Sequence, residues 1–129
     1  MSILTDFLEL VIETAENNSQ LAYPISLKEL PKEGGLYAEL GEGFVESQYY
    51  DKTELRQIPL LFLCRDNDQH RCLAQLEAIC LSLSRLMQYP QKEGFCWLDA
   101  KTAKAPSKIG RDEDGTYHYS CIINCKLYY

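Results

Sequence analysis

No run in this 129-residue chain approaches the roughly 20 consecutive apolar residues that a membrane-spanning helix needs, so no transmembrane segment and no membrane partner are expected. The amino end, MSILTDFLELVIETAENN, lacks the basic first region of a secretory leader and carries Asp6, Glu9, Glu13 and Glu16 instead. A soluble protein made in the cytoplasm is the expectation. Basic residues are the minority, 13 Lys and Arg against 19 Asp and Glu, for a net charge of −6, and they are scattered. That argues against a surface that tracks nucleic-acid phosphates, which depends on clustered cations, so no sequence-specific nucleic acid is expected. The chain also lacks GxxxxGK[ST], a GxGxxG after a strand, and HExxH, so neither a phosphate cradle nor a zincin helix is encoded. No cofactor is expected. Internal repeats and low-complexity tracts are absent too, which leaves an ordinary globular reading.

What is present is enough apolar material for one core. Hydrophobic residues make up 46% and charged ones 25%, and a chain of this length buries roughly two-thirds of the surface its unfolded form exposes. Residues 1–129 are read as a single domain. Its six cysteines, Cys64, Cys72, Cys80, Cys96, Cys121 and Cys125, form no CxxC pair. Each takes the place of an apolar residue in a periodic pattern, which points to reduced thiols in the core. Cys72 and Cys80 fall on one helical face, and Cys121 and Cys125 point the same way along a strand. A zinc site built on Cys64, His70 and Cys72 would lack the closely spaced ligand pairs of known motifs, so no metal is expected.

Ser2 precedes Ile3, Leu4, Phe7, Leu8, Val11, Ile12 and Ala15, which define one face of a helix ending near Asn17–Asn18. Residues 19–33, with Pro24 and Pro31, read as an extended connector with a short turn at Ser26–Leu30. After Gly34–Gly35, LYAEL and FVESQYY flank a turn at Gly41–Gly43 and suggest a β-hairpin whose second strand ends at Asp51–Lys52–Thr53. Leu55 to Cys64 is apolar almost throughout, so a strand covered on both faces is expected, with Pro59 at the beginning of its buried part. A helix then starts at Asn67 or Asp68. Its apolar stripe is Cys72, Leu73, Leu76, Ile79, Cys80, Leu83, Leu86 and Met87; Gln75, Glu77, Ser82, Arg85 and Gln88 lie on its wet side, and Pro90 bars continuation. FCWLDAKTAKAP reads as a strand with a polar tail, KIGRDEDG as a charged loop, and TYHYSCIINCKLYY as the last strand of a long hairpin with a mobile tip. The predicted class is α+β: about 4–5 mostly antiparallel strands with two main helices on one face.

The candidates for chemistry are few. His70 sits at the first turn of a helix and reads as solvated, while His118, between Tyr117 and Tyr119, reads as one rung of a sheet. Gly34, Gly35, Gly41 and Gly43 are turn glycines. Asp66 and Asp68 have a capping role available. Asp112, Glu113 and Asp114 lack the DxDxDG spacing of a calcium loop and read as a solvated tip. No catalytic residue is expected, and the protein is not expected to be an enzyme. The oddity is nine tyrosines, a residue that offers apolar area with a polar tip and is common at protein interfaces. Tyr49, Tyr50, Asp112, Glu113, Asp114, Tyr128 and Tyr129 are therefore the candidate interaction residues.

LRQIPLLFLCRDNDQHRCLAQLEAICLSLSRL resembles the central region of the small minor capsid proteins of phages and prophages of Gram-positive bacteria. In those proteins a tyrosine-rich strand leads to an IPLLFLC-like strand, a K/R-N-x-D-Q-type break and a helix with Leu and Ile at core spacing. Here the break is Cys64–Arg65–Asp66–Asn67–Asp68–Gln69, followed by Leu76, Ile79 and Leu83. The resemblance implies a tail terminator: a ring, usually of six subunits, at the head-proximal end of a siphophage tail tube, joined to the head connector, with DNA passing through its lumen. It implies three partners, namely further copies of itself, the tail-tube protein and the head-connector protein, and a place in the virion after synthesis in the host cytoplasm. The runner-up is a small intracellular protein-binding module such as an acidic secretion-chaperone-like dimer with an exposed apolar groove.

Overall fold

The computed structural model describes residues 2–27 and 34–129. Its elements run α1 (Ile3–Asn18), β1 (Ile25–Ser26), β2 (Gly35–Leu40), β3 (Phe44–Gln48), β4 (Glu54–Asp66), α2 (Gln69–Ser84), β5 (Cys96–Arg111) and β6 (Tyr117–Tyr128). The class is α+β, as the pattern predicts, but the sheet has six strands rather than four or five. The addition is β1, a two-residue strand inside the expected connector, which runs parallel to β2 and makes the sheet mixed. The order is β1-β2-β4-β6-β5, with β3 also on β4. Residues 28–30 of the expected turn at Ser26–Leu30 lie outside the described residues.

The register of β4 with β6 explains the two sides of the sheet. Ile58, Leu60, Phe62 and Cys64 on β4 stand opposite Cys125, Ile123, Cys121 and Tyr119 on β6, and all eight are buried beneath the helices. The alternate residues Leu61, Leu63 and Ile122 are only half-buried. The expectation that β4 is covered on both faces is therefore corrected. Its apolar run reflects a central position with strands on either side, while the second face stays open.

The expected hairpin between LYAEL and FVESQYY does not form either. β2 pairs with Leu60–Arg65 and β3 with Glu54–Gln57, so both lie end to end along one edge of β4. The cause is local. Pro59 has no N–H to give on that side, and its carbonyl accepts from Gly41 N at 2.8 Å where the edge strand breaks. A Cβ on Gly43 would stand 2.5 Å from the Gln57 carbonyl oxygen, so only glycine lets the chain re-enter the ladder there. Pro59 thus sits at a break in its neighbour and, as expected, at the beginning of the buried part of β4, whose residues 54–57 are half-buried and whose buried alternation starts at Ile58.

Ser2 caps α1 through Thr5 N, and Asp68 caps α2 by accepting from His70 N and Arg71 N. α1 buries Phe7, Val11, Ile12 and Ala15; the Phe7 ring meets Phe95 and Trp97 edge-on at 5.7 and 5.5 Å. α2 buries Cys72, Leu76, Ile79, Cys80 and Leu83 but stops at Ser84, so Leu86 and Met87 fall beyond its end and Met87 is fully exposed. Leu73, also assigned to the stripe, is exposed. Gln75, assigned to the wet side, is buried, because its Oε1 accepts from Ala22 N at 2.7 Å and holds the connector down. β5 extends through KIGR to Arg111, which shortens the expected charged loop to residues 112–116.

Candidate interaction surfaces

The seven candidate interaction residues divide between the two ends of the sheet. Tyr49 and Tyr50 lie in the β3–β4 turn; Tyr128 and Tyr129 end β6 beside it. The Tyr49 and Tyr128 rings are 5.6 Å apart, Tyr128 Oη and Thr53 Oγ1 are hydrogen-bonded at 2.7 Å, and Tyr129 exchanges backbone hydrogen bonds with Glu54. The turn itself is tight. Asp51 Oδ1 accepts from the Thr53 hydroxyl and from Thr53 N at 3.1 Å, and these bonds, the hydroxyl's first, hold the Asp51 carboxyl below the usual carboxylate range, while Lys52 adopts φ +74°. This geometry throws Tyr50 wholly into solvent.

Arg56 extends the aromatic end. Its guanidinium lies 4.2 Å over the Tyr129 ring and bonds Glu54 at 2.7 Å. Beside it is an apolar depression of about 210 Å³ lined by Leu4, Leu40, Phe44, Val45, Ile58 and Tyr129. Leu4, Phe44 and Val45 are exposed. Sequence reasoning missed these residues because they come from α1 and from β3, whose alternation reads as an ordinary strand.

At the other end, about 36 Å away along β6 at ~3.3 Å per residue, the acidic loop is more ordered than a solvated tip. Asp112 N donates to Thr116 O and Gly115 N to Asp112 O, with Gly115 at φ +91° completing the turn. Asp112 Oδ2 accepts from Arg65 at 2.8 Å and from His118 Nε2 at 3.0 Å. The His118 hydrogen bond, followed by the charges of His118 and Arg65, holds the Asp112 carboxyl low. Asp114 is lowered as well, first by the Thr116 side-chain hydrogen bond and then by the one from Thr116 N. Glu113 alone of the three is committed to no bond among the described residues.

His118 is a rung on the open face, opposite Arg65, and the fold supplies the carboxylate partner that sequence spacing did not suggest. Ser120, two residues along the strand, is buried. His70 is exposed at the first turn of α2. Among the described residues no three His, Cys, Asp or Glu side chains gather as metal ligands.

Asp66 is 1% exposed and ties three segments together. It accepts from Tyr23 Oη at 2.8 Å and Asp68 N at 3.0 Å, and meets Arg71 at 3.4 Å. The hydrogen bond to Asp66, then burial, raises the Tyr23 phenol above its ordinary value. The expected capping role falls to Asp68, while Asp66 anchors the connector on the α2 side of the sheet.

Five cysteines are buried and free, as the periodic pattern predicts, but Cys96 is exposed at the start of β5. Burial pushes the Cys64, Cys72 and Cys125 thiols up, and a shared hydrogen bond with Cys80, then burial, does the same for Cys121. Comparison with protein-family models and with curated proteins finds no match for this chain.

Proposed function

We propose that this chain is a phage or prophage virion structural protein, a tail terminator or minor capsid protein that forms a ring at the head-proximal end of the tail tube and joins it to the head connector. The observation that carries the reading is the separation of two unlike ends on one long sheet. One is aromatic and apolar, with Tyr50, Phe44 and Val45 in solvent. The other is charged, with Glu113 exposed beside the bonded Asp112 and Arg111 exposed just before it. A subunit that must meet a different partner above and below a ring needs such a polarity. The resemblance of the β4–α2 segment to minor capsid proteins supports the same reading.

In this role the chain does no chemistry and requires no cofactor. The aromatic end, rich in side chains that carry interface energy, takes the larger apolar contact. The charged end takes the second partner, and DNA passes through the lumen without sequence-specific contacts.

Native mass spectrometry of the chain alone, and after mixing with a purified siphophage tail-tube protein, tests the reading. A complex with the tube protein supports it. A stable dimer that ignores the tube protein would instead support the acidic protein-binding module, for which the apolar depression beside Tyr129 is the favouring observation.

A further inference from the structure

Charge is segregated across the fold in a way that net charge conceals. α1 carries Asp6, Glu9, Glu13 and Glu16 and no basic residue. Residues 100–111 of β5 carry Lys101, Lys104, Lys108 and Arg111 and no acidic one. α1 packs against α2 and β2 and reaches β5 through Phe7 on Trp97 at that strand's start, whereas Lys104, Lys108 and Arg111 lie farther along this edge strand. Three strand spacings, about 14 Å, separate β2 from β5. Glu9, Glu13, Lys104, Lys108 and Arg111 are exposed, and none makes an ion pair among the described residues.

Among the described residues, the β5 edge is covered at its start. Gln91 bonds both the N–H and the carbonyl of Trp97 through its side-chain amide, at 3.0 and 2.8 Å. Tyr89 Oη accepts from Ala100 N at 3.2 Å. Beyond Ala100 the strand has Pro106 and register shifts on both sides of Lys104. Such irregularity blocks strand addition, so a partner there must meet side chains rather than the backbone.

We infer that the basic edge of β5 receives the acidic outer face of α1 from a second copy of this chain. The contact is heterologous, with different surfaces on the two subunits, so it repeats head to tail and can close into a ring. Opposite charge on the two sides also sets polarity, because β5 against β5 or α1 against α1 would place like charges together. Only closure of the array rests on the ring reading above; the pairwise contact does not.

The test uses the full chain in sedimentation velocity at low and high salt. Two variants, K104E/K108E/R111E and E9K/E13K, change exposed residues only, and thermal melts check that each folds. The expected result is self-association that falls with salt and weakens at least about tenfold in either variant. An equimolar mixture of the two variants pairs one reversed surface from each and forms heterodimers that neither variant forms alone. A wild-type chain that stays monomeric at low salt, or a mixture that associates no better than its components, overturns the inference and leaves the lysines as edge protection only. Tube binding without charge-dependent association refutes this contact alone; charge-dependent association without tube binding refutes the terminator reading alone.

Discussion

Replacing Asp66 with alanine removes one acceptor that holds the connector, the end of β4 and the beginning of α2. At 1% exposure the carboxylate has little water to fall back on, and Tyr23 Oη at 2.8 Å and Asp68 N at 3.0 Å lose their acceptor together. Hydrogen bonds to a charged group contribute about 1.5–3 kcal/mol each before relaxation. Arg71 adds little, since its side chain is 48% exposed and the pair is 3.4 Å long. Relaxation around the vacated site recovers part of this, so the expected loss is about 3 kcal/mol for Asp66→Ala. Tyr23→Phe, which removes one donor, is expected to cost about 1–1.5 kcal/mol. Urea unfolding followed by circular dichroism reads both, and with a slope near 2 kcal/mol per molar the Asp66→Ala midpoint falls by about 1.5 M. The double variant closes the cycle with a coupling of about 1 kcal/mol. A loss under about 0.5 kcal/mol for Asp66→Ala, or strict additivity in the double variant, would refute the reasoning.

Other substitutions probe other links. Phe7→Ala empties the space against Phe95 and Trp97 and is expected to cost about 3–5 kcal/mol in the same unfolding assay. Gly34→Ala places a Cβ 2.7 Å from the Arg65 carbonyl oxygen at a φ of +124°, so thermal unfolding should report a loss of about 2 kcal/mol. Asp112 has its pKa lowered in the fold, chiefly by the His118 hydrogen bond, so the stability it contributes is present above the ordinary carboxylate range and is lost as pH falls through the folded value. Asp112→Asn should therefore flatten the acid limb of a stability–pH curve while leaving its alkaline limb unchanged. Tyr50→Ser, at a fully exposed position, should leave the unfolding midpoint unchanged and weaken binding to the tube protein.

Much of the fold was legible because single residues carry unambiguous local signals. Ser2 and Asp68 mark helix starts, and Phe7, Val11 and Ala15 mark one helical face. What was not legible depends on tertiary pairing. The Gly41–Gly43 segment has every local mark of a hairpin turn, yet the absence of an N–H at Pro59, a residue sixteen or more positions away, turns it into a break along one edge. The apolar run of β4 looks the same whether one face or two is covered, so only the register with β6 decides it. Gln75 and Asp66 resemble surface polar residues until Ala22 N and Tyr23 Oη are brought to them. The aromatic end was half visible. Tyrosine pairs flag it in sequence, whereas Leu4, Phe44 and Arg56 join it only through folding.

The most direct measurement is electron microscopy of tail tubes polymerised from purified tube protein in the presence of this chain carrying a compact label. The account predicts label at one end of each tube, never along its wall, with tube growth stopped there. Unlabelled ends and tubes that lengthen as they do without the chain would contradict it.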